Sequence, residues 1–228
     1  GETGIRYRQA VCDRQGYAGD GPNSYLTADL VLLHTSQDKS VRSALLDDGT
    51  TLQFSNPFAQ DWLTRPDSVY RALLYYDKTV ATSDAATPNP TATSIVRARS
   101  VRPVSVLRPV EAEDMETLRT DPVGFESLWM SKNKSYINLS LLLKSGKTEA
   151  DDALHALGIV SHGTTTDADR RRTLHLTLYH DQGGVPAYYT VQQYVSIPTQ
   201  LLEEADTVEL TLNTYNGKKV VKVAVSNL

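Results

Sequence analysis

The chain carries a single cysteine, Cys12, so neither an intramolecular disulfide nor a multi-cysteine zinc site can form. A lipid-modified cysteine needs an apolar run ahead of it, whereas Gly1–Val11 reads GETGIRYRQAV; Cys12 therefore reads as a plain near-terminal thiol. No stretch approaches the roughly 18 apolar residues of a membrane span, and the most apolar run, Leu139–Leu143, has the length of a strand. There is no basic excess either. The net charge of -4 argues against a general nucleic-acid binder. G-x-S-x-G, P-loop, G-x-G-x-x-G and HExxH patterns are all missing, which removes the common signatures of hydrolases, nucleotide cofactors and zinc proteases.

What is present fits a folded β-rich chain. At 228 residues there is ample length for one large domain or two ordinary ones. Hydrophobic residues make up 40% and charged residues 22%, a globular balance. Tyrosine is abundant, 12 against 3 Phe, and suits half-buried strands where the ring packs and the hydroxyl stays wet.

Residues 1–24 are polar and glycine-rich and read as a leader. From Thr27 the text turns to strands: Leu30–Thr35 is apolar on both faces, and Val41–Leu46 and Thr50–Phe54 flank Asp47-Asp48-Gly49, a strong hairpin signal. Ser68–Asp77 and Ser94–Leu107 are further strands. Between them, Lys78–Thr93 is a Thr/Ala/Pro-rich loop that Pro88 and Pro90 keep out of a ladder. Several strands in about 80 residues without a helix predict a small barrel over 25–110. Residues 111–120 (EAEDMETLRT) predict a linker with a helical turn. Asp121-Pro122 looks like an N-cap and N1 pair, and Phe125, Leu128 and Trp129 recur at i, i+3, i+4, so a short helix is expected over Pro122–Trp129, with Trp129 anchored near the domain junction. The remainder alternates with period two: Ile137, Leu139, Leu141 and Leu143; Leu174, Leu176 and Leu178; Val208, Leu210 and Leu212; then Asn216-Gly217 leading into Val221, Val223 and Val225. One apolar face per strand predicts an antiparallel β-sandwich over 121–228.

The order Asp121-Pro122-Val123-Gly124-Phe125-Glu126-Ser127-Leu128-Trp129, Tyr136-Ile137-Asn138-Leu139, Leu178-Tyr179-His180-Asp181, Tyr188-Tyr189-Thr190 and Tyr194-Val195-Ser196-Ile197-Pro198 resembles NigD-like proteins of Bacteroidetes. Ala28-Asp29-Leu30-Val31 and Leu45-Leu46-Asp47-Asp48-Gly49 agree, so the resemblance spans about 25–228. It implies an OB-like N-terminal barrel before the C-terminal sandwich. It also implies an extracytoplasmic protein, in the periplasm, outer membrane or cell surface, whose full-length form carries a lipoprotein signal and lipid anchor. On that expectation this chain is a trimmed form and Gly1 a cloning remnant. The family takes its name from a bacteriocin-associated operon, which implies an immunity-like role without a mechanism, and it supplies no catalytic or ligand residues.

Candidate chemistry is sparse. His175 and His180 lie near one strand but five apart, hence on opposite faces, and His34, His155 and His162 add no ligand spacing; strand-end or surface imidazoles explain all five. Asp47-Asp48 and Asp151-Asp152 are adjacent pairs that turn chemistry and solvation explain better than acid–base catalysis. Arg97, Arg99, Arg102 and Arg108 lack interleaved aromatics, and residues 20–110 balance nine Lys/Arg with nine Asp/Glu, so nucleic acid is not the expected partner. Tyr188, Tyr189 and Tyr194 are the densest aromatic patch. Tyr188 and Tyr194 share a face that suits a glycan or protein contact, although packing within the sandwich is the favoured reading because the sheet must be covered in any case. Asp67-Ser68-Val69 and Asp206-Thr207-Val208 resemble an O-glycosylation tripeptide of Bacteroidetes envelope proteins. The sequence thus predicts a non-enzymatic envelope module binding a protein or glycan, with no catalytic residue, metal site or cofactor and the ligand site unassigned. The alternative is a hydrolytic enzyme with a site in the inter-domain cleft.

Overall fold

The computed structural model describes residues 5–6, 26–78, 93–147 and 153–225. Cys12, Asp151-Asp152, the expected leader apart from Ile5–Arg6, and the Pro-rich loop apart from its end residues Lys78 and Thr93 lie outside them. The chain divides into two compact units. The described residues of one run from Leu26 to Val104; those of the other run from Ser105 to Val225 and include β1 (Ile5–Arg6). No α-helix occurs among the described residues, and no helix is long and apolar enough to cross a membrane.

In the first unit, Asp48-Gly49 makes the turn its composition demands. Gly49 sits at φ +90, the Leu46 N–H donates to the Thr50 carbonyl at 2.8 Å, and Asp48 Oδ1 accepts from the Thr50 N–H at 2.8 Å. The turn joins β3 (Val41–Leu46) to β4 (Thr51–Phe58). With β2 (Leu26–Thr35), β5 (Val69–Asp77) and β6 (Ser94–Pro103) they close a barrel in the order β2-β3-β4-β6-β5. The β4–β6 pair is parallel and the others antiparallel, which gives the expected OB-like barrel. Val31, Leu33, Leu52, Phe54, Leu74 and Val96 fill it. On β2 the opposite face is only partly covered: Leu30 is buried, Leu32 half-buried and His34 exposed. Arg71 is buried on the face of β5 opposite the barrel-core residues Ala72, Leu74 and Tyr76, and it forks onto Asp47, Nη1 to Oδ1 at 2.6 Å and Nη2 to Oδ2 at 2.8 Å, so its charge is paired.

The second unit is a two-sheet β-sandwich. The larger sheet has the order β1-β11-β12-β14-β15, formed with β11 (Ala156–Thr166), β12 (Arg172–Asp181), β14 (Thr207–Thr214) and β15 (Gly217–Ala224); β8 (Pro109–Glu111) runs beside β11. The smaller sheet has the order β7-β13-β10-β9, from β7 (Ser105–Val106), β9 (Gly124–Met130), β10 (Tyr136–Ser145) and β13 (Tyr189–Pro198). The alternating leucines of β10 and β12 supply the core between the sheets, together with Val208, Leu210 and Leu212 of β14. Most ladders are antiparallel, but β7–β13, β8–β11 and β12–β14 are parallel. Parallel neighbours cannot be joined by a tight turn, and β13 in the other sheet is the crossover between β12 and β14. Residues 111–120, expected as a linker, hold a 3-10 turn at Ala112–Asp114 and a bridge from Thr120 to His180.

The helix expected over Pro122–Trp129 is instead β9. Its register against β10 runs Met130–Ile137, Leu128–Leu139 and then Phe125–Leu141, with a shift between Ser140 and Leu141. Glu126 is the extra residue of a β-bulge. The bulge puts Phe125, Leu128 and Met130 on the core face with a spacing of three and then two, and this imitates a helical stripe. Asp121 is likewise not a helix cap; its Oδ2 accepts from the Gln182 N–H at 2.7 Å. Trp129 belongs to the other face of the strand, half-buried.

Candidate functional site

The outer face of the smaller sheet concentrates the side chains most suited to recognition. Cross-strand register sets Trp129 against Asn138, Ser127 against Ser140, Tyr194 against Ser140 and Gln192 against Leu142. Trp129 meets Tyr194 edge to face, ring centroids 6.2 Å apart at 88°. The bulge delivers the Glu126 carboxylate to this face, where Oε1 accepts from Ser140 Oγ at 2.9 Å and from Gln192 Nε2 at 2.9 Å. Gln192 Nε2 also lies 3.1 Å from both Ser140 Oγ and the Tyr194 hydroxyl. At one end, Asn138 and Ser196 are fully buried, with Ser196 Oγ donating to Asn138 Oδ1 at 2.7 Å. At the other, Tyr188 is 77% exposed, its N–H donating to the Ser145 carbonyl at 2.8 Å. Gly146 makes room for that ring, since a Cβ there would lie 2.6 Å from Tyr188 Cδ2. Tyr189 faces the other way and is exposed too. Of the three tyrosines singled out by sequence, only Tyr194 packs within the sheet.

A second cluster is buried. His180 shares the core face of β12 with Leu174, Leu176 and Leu178, and its Nε2 lies 2.9 Å from His155 Nδ1 with the rings stacked 5.1 Å apart. The two are 1% and 5% exposed; both stand at strand ends, as expected, but neither is a surface imidazole. His180 Nδ1 lies 3.0 Å from the Asp121 carbonyl, which can only accept, so Nδ1 carries the proton. Its bare Nε2 then accepts from His155 Nδ1–H, and His155 Nε2 is left as a buried nitrogen without a hydrogen-bond partner. Burial, reinforced by the neighbouring His180, pushes His155 down to about 4, and burial lowers His180 as well. Two facing nitrogens 2.9 Å apart share a proton and leave no space for an ion between them. Among the described residues no group of three or more His, Cys, Asp or Glu side chains converges on a metal position.

The outer face of the larger sheet carries a hydrogen-bonded row. Thr165 Oγ1 lies 2.6 Å from His175 Nε2, and His175 Nδ1 lies 3.1 Å from Glu209 Oε1. The atom order is that of a nucleophile–base–carboxylate relay. Thr165 is exposed on an open sheet, however, so water is not excluded from it. His162 bonds Thr177 Oγ1 at 2.7 Å and stands outside this row.

Other sequence candidates have structural employment. Asp47 holds Arg71 and Asp48 caps its turn. Arg99 pairs with Asp77, and the Arg102 guanidinium lies 5.9 Å from the Tyr75 ring centroid; Arg97 and Arg108 are exposed. Asp67-Ser68-Val69 is exposed at both flanks, whereas Asp206-Thr207-Val208 runs into β14 with Val208 buried.

Sequence comparison matches residues 106–225 to the NigD-like C-terminal beta sandwich domain. Among curated proteins none matches the chain. Solved structures share the fold at low identity. A NigD-like immunity protein from Bacteroides caccae is 21% identical with a TM-score of 0.60, over 88% of this chain and 93% of its own. A candidate lipoprotein from Bacteroides fragilis is 14% identical with a TM-score of 0.62, over 89% and 99%. A protein of unknown function from Bacteroides vulgatus is 16% identical with a TM-score of 0.60, over 88% and 92%.

Proposed function

The chain belongs to the NigD-like family, and from that premise we propose that it is a non-enzymatic, envelope-associated binding module whose contact surface is the outer face of the smaller sheet. The observation that carries this reading is the run of Tyr188, Gln192, Glu126, Tyr194 and Trp129 along one sheet face, an aromatic and polar surface of the kind that recognition uses. A lipoprotein-like neighbour and an immunity-protein neighbour support an envelope location. Immunity is one form such binding would take, by capture of a toxin or of its receptor. The partner is a protein or a glycan presented at the cell surface, and a lipid anchor on the full-length precursor would hold the module there.

The test is retention of a detergent-solubilised envelope fraction on the immobilised chain, compared with a Tyr188→Ala/Tyr194→Ala variant of equal melting temperature. Retention by the native face and not by the variant supports the reading; equal retention, or none, overturns it. A hydrolytic second reading has one observation in its favour, the Thr165–His175–Glu209 row. It requires ester hydrolysis that disappears in His175→Ala.

A further inference from the structure

Building on the binding-face reading, we infer that the outer face of the smaller sheet recognises a neutral oligosaccharide, with the bulged Glu126 as its hydroxyl-binding anchor. Bulges re-aim side chains, and this one turns outward a carboxylate that strict alternation from Trp129 would have pointed at the core, onto a face otherwise given to Ser127 and Phe125. The carboxylate is then held by neutral donors, Ser140 Oγ and Gln192 Nε2, both at 2.9 Å. Among the described residues no Lys, Arg or His forms an ion pair with it. A fixed, uncompensated carboxylate on an exposed surface accepts hydrogen bonds from ligand hydroxyls and repels anionic ligands, which selects neutral sugars over acidic ones.

The neighbours complete the chemistry. Gln192 Nε2 has three acceptors within 3.1 Å for two hydrogens, so a ligand acceptor can take one over without leaving the amide unpaired. Tyr194 and Trp129 stand edge to face beside the carboxylate and offer apolar ring surface to the C–H groups of a sugar. From Tyr194 the face continues through Gln192 and Thr190, the latter against Lys144, whose Nζ lies 4.7 Å from the Tyr215 ring centroid, to the exposed Tyr188, six residues and about 20 Å along an extended strand. That is a linear track, with a ring at each end and polar groups between, and it suits several sugar units in a row. An apolar protein helix fits it poorly, because the exposed Glu126, Gln192 and Thr190 would lose water without gaining partners.

The experiment uses the whole chain bearing Trp62→Phe, which leaves Trp129 as the single tryptophan. Its emission, and the amide shifts of β13, are followed on titration with linear tetrasaccharides of mannose, glucose and N-acetylglucosamine, and with tetragalacturonate as the anionic counterpart. A saturable response to at least one neutral tetrasaccharide is expected, weakened about tenfold by Glu126→Gln, the loss of one hydrogen bond to a charged group. Gln192→Ala, which leaves the tryptophan untouched, should weaken it similarly. Absence of any response to the neutral sugars overturns the inference, as does a galacturonate response of equal strength or a Glu126→Gln variant that binds like its parent. If the tetrasaccharides fail while envelope retention still depends on Tyr188 and Tyr194, the sugar assignment falls and the binding face stands. If both fail, the face itself is wrong.

Discussion

Acidification should loosen the sandwich through His155. In the native state its Nε2 is buried without a donor and its Nδ1–H is committed to His180. Protonation therefore places a positive charge in the core, beside a second buried imidazole. Burial, and second to it the electrostatic influence of the neighbouring His180, push it down to about 4 from an ordinary 6.5. Between those values the unfolded chain binds a proton that the native chain refuses, so stability rises with pH over the interval and is lost as pH falls. The loss starts near pH 7, grows down to about pH 4 and is complete below. A shift of about 2.5 pKa units corresponds to about 3 kcal/mol at 1.36 kcal/mol per unit. Carboxylates also titrate near the lower end, so the informative quantity is the difference between the native chain and His155→Gln, whose amide can still donate to His180 Nε2.

The assay is urea denaturation at pH 7, 6, 5 and 4, followed by Trp129 emission in the Trp62→Phe background. With a slope of about 1.5 kcal/mol per molar urea, the native midpoint should fall by about 2 M more than that of the variant. Parallel pH profiles for the two proteins would refute the argument. So would a His155 ring titrating near 6.5 by NMR, because a histidine in its ordinary range is not buried without a donor.

Other perturbations test other parts of the fold. Asp47→Ala removes the carboxylate onto which the buried Arg71 forks and should lower the melting temperature, a loss that Arg71→Met, which removes the charge itself, partly restores. Gly217 turns β14 into β15 at φ +104, so Gly217→Ala should cost about 1–2 kcal/mol by calorimetry, although nothing lies within 4 Å of the added methyl. Trp129→Ala removes a half-buried ring that meets Tyr194 edge to face, and should cost about 1–2 kcal/mol; a loss of 4 kcal/mol or more would show the ring to be a core anchor after all.

Where a strand's pattern is local, the sequence is sufficient. Leu139, Leu141 and Leu143 alternate and are buried, and Asp48-Gly49 and Asn216-Gly217 make tight turns because few residues other than glycine accept positive φ. Partners distant in sequence leave no such mark. His155 and His180 are 25 residues apart, and only the β11–β12 register, Leu157 against His180, brings them together. Thr165, His175 and Glu209 converge through the same sheet, one residue from each of three strands.

The bulge in β9 joins the misread element to the candidate site. One extra residue in a strand converts a period of two into a local spacing of three, and Phe125, Leu128 and Trp129 at i, i+3, i+4 then satisfy a helical template. The two readings make opposite statements about Trp129. A helix would place it on the apolar stripe with Phe125 and Leu128; the bulged strand puts those two in the core and turns Trp129 to the outer face beside Tyr194. The inserted residue is Glu126, an acid that a strand facing a hydrophobic core could not carry inward. Its charge is what sends the extra residue outward, and once there it organises Ser140 and Gln192. The irregularity that defeated the pattern is thus the one that builds the site. A Glu126 deletion, restoring strict alternation through Ser127 and Phe125, should keep the core intact while removing the carboxylate from the face. Retained melting temperature with lost ligand response would establish the bulge as a recognition device, whereas a large fall in stability would assign it to the fold alone.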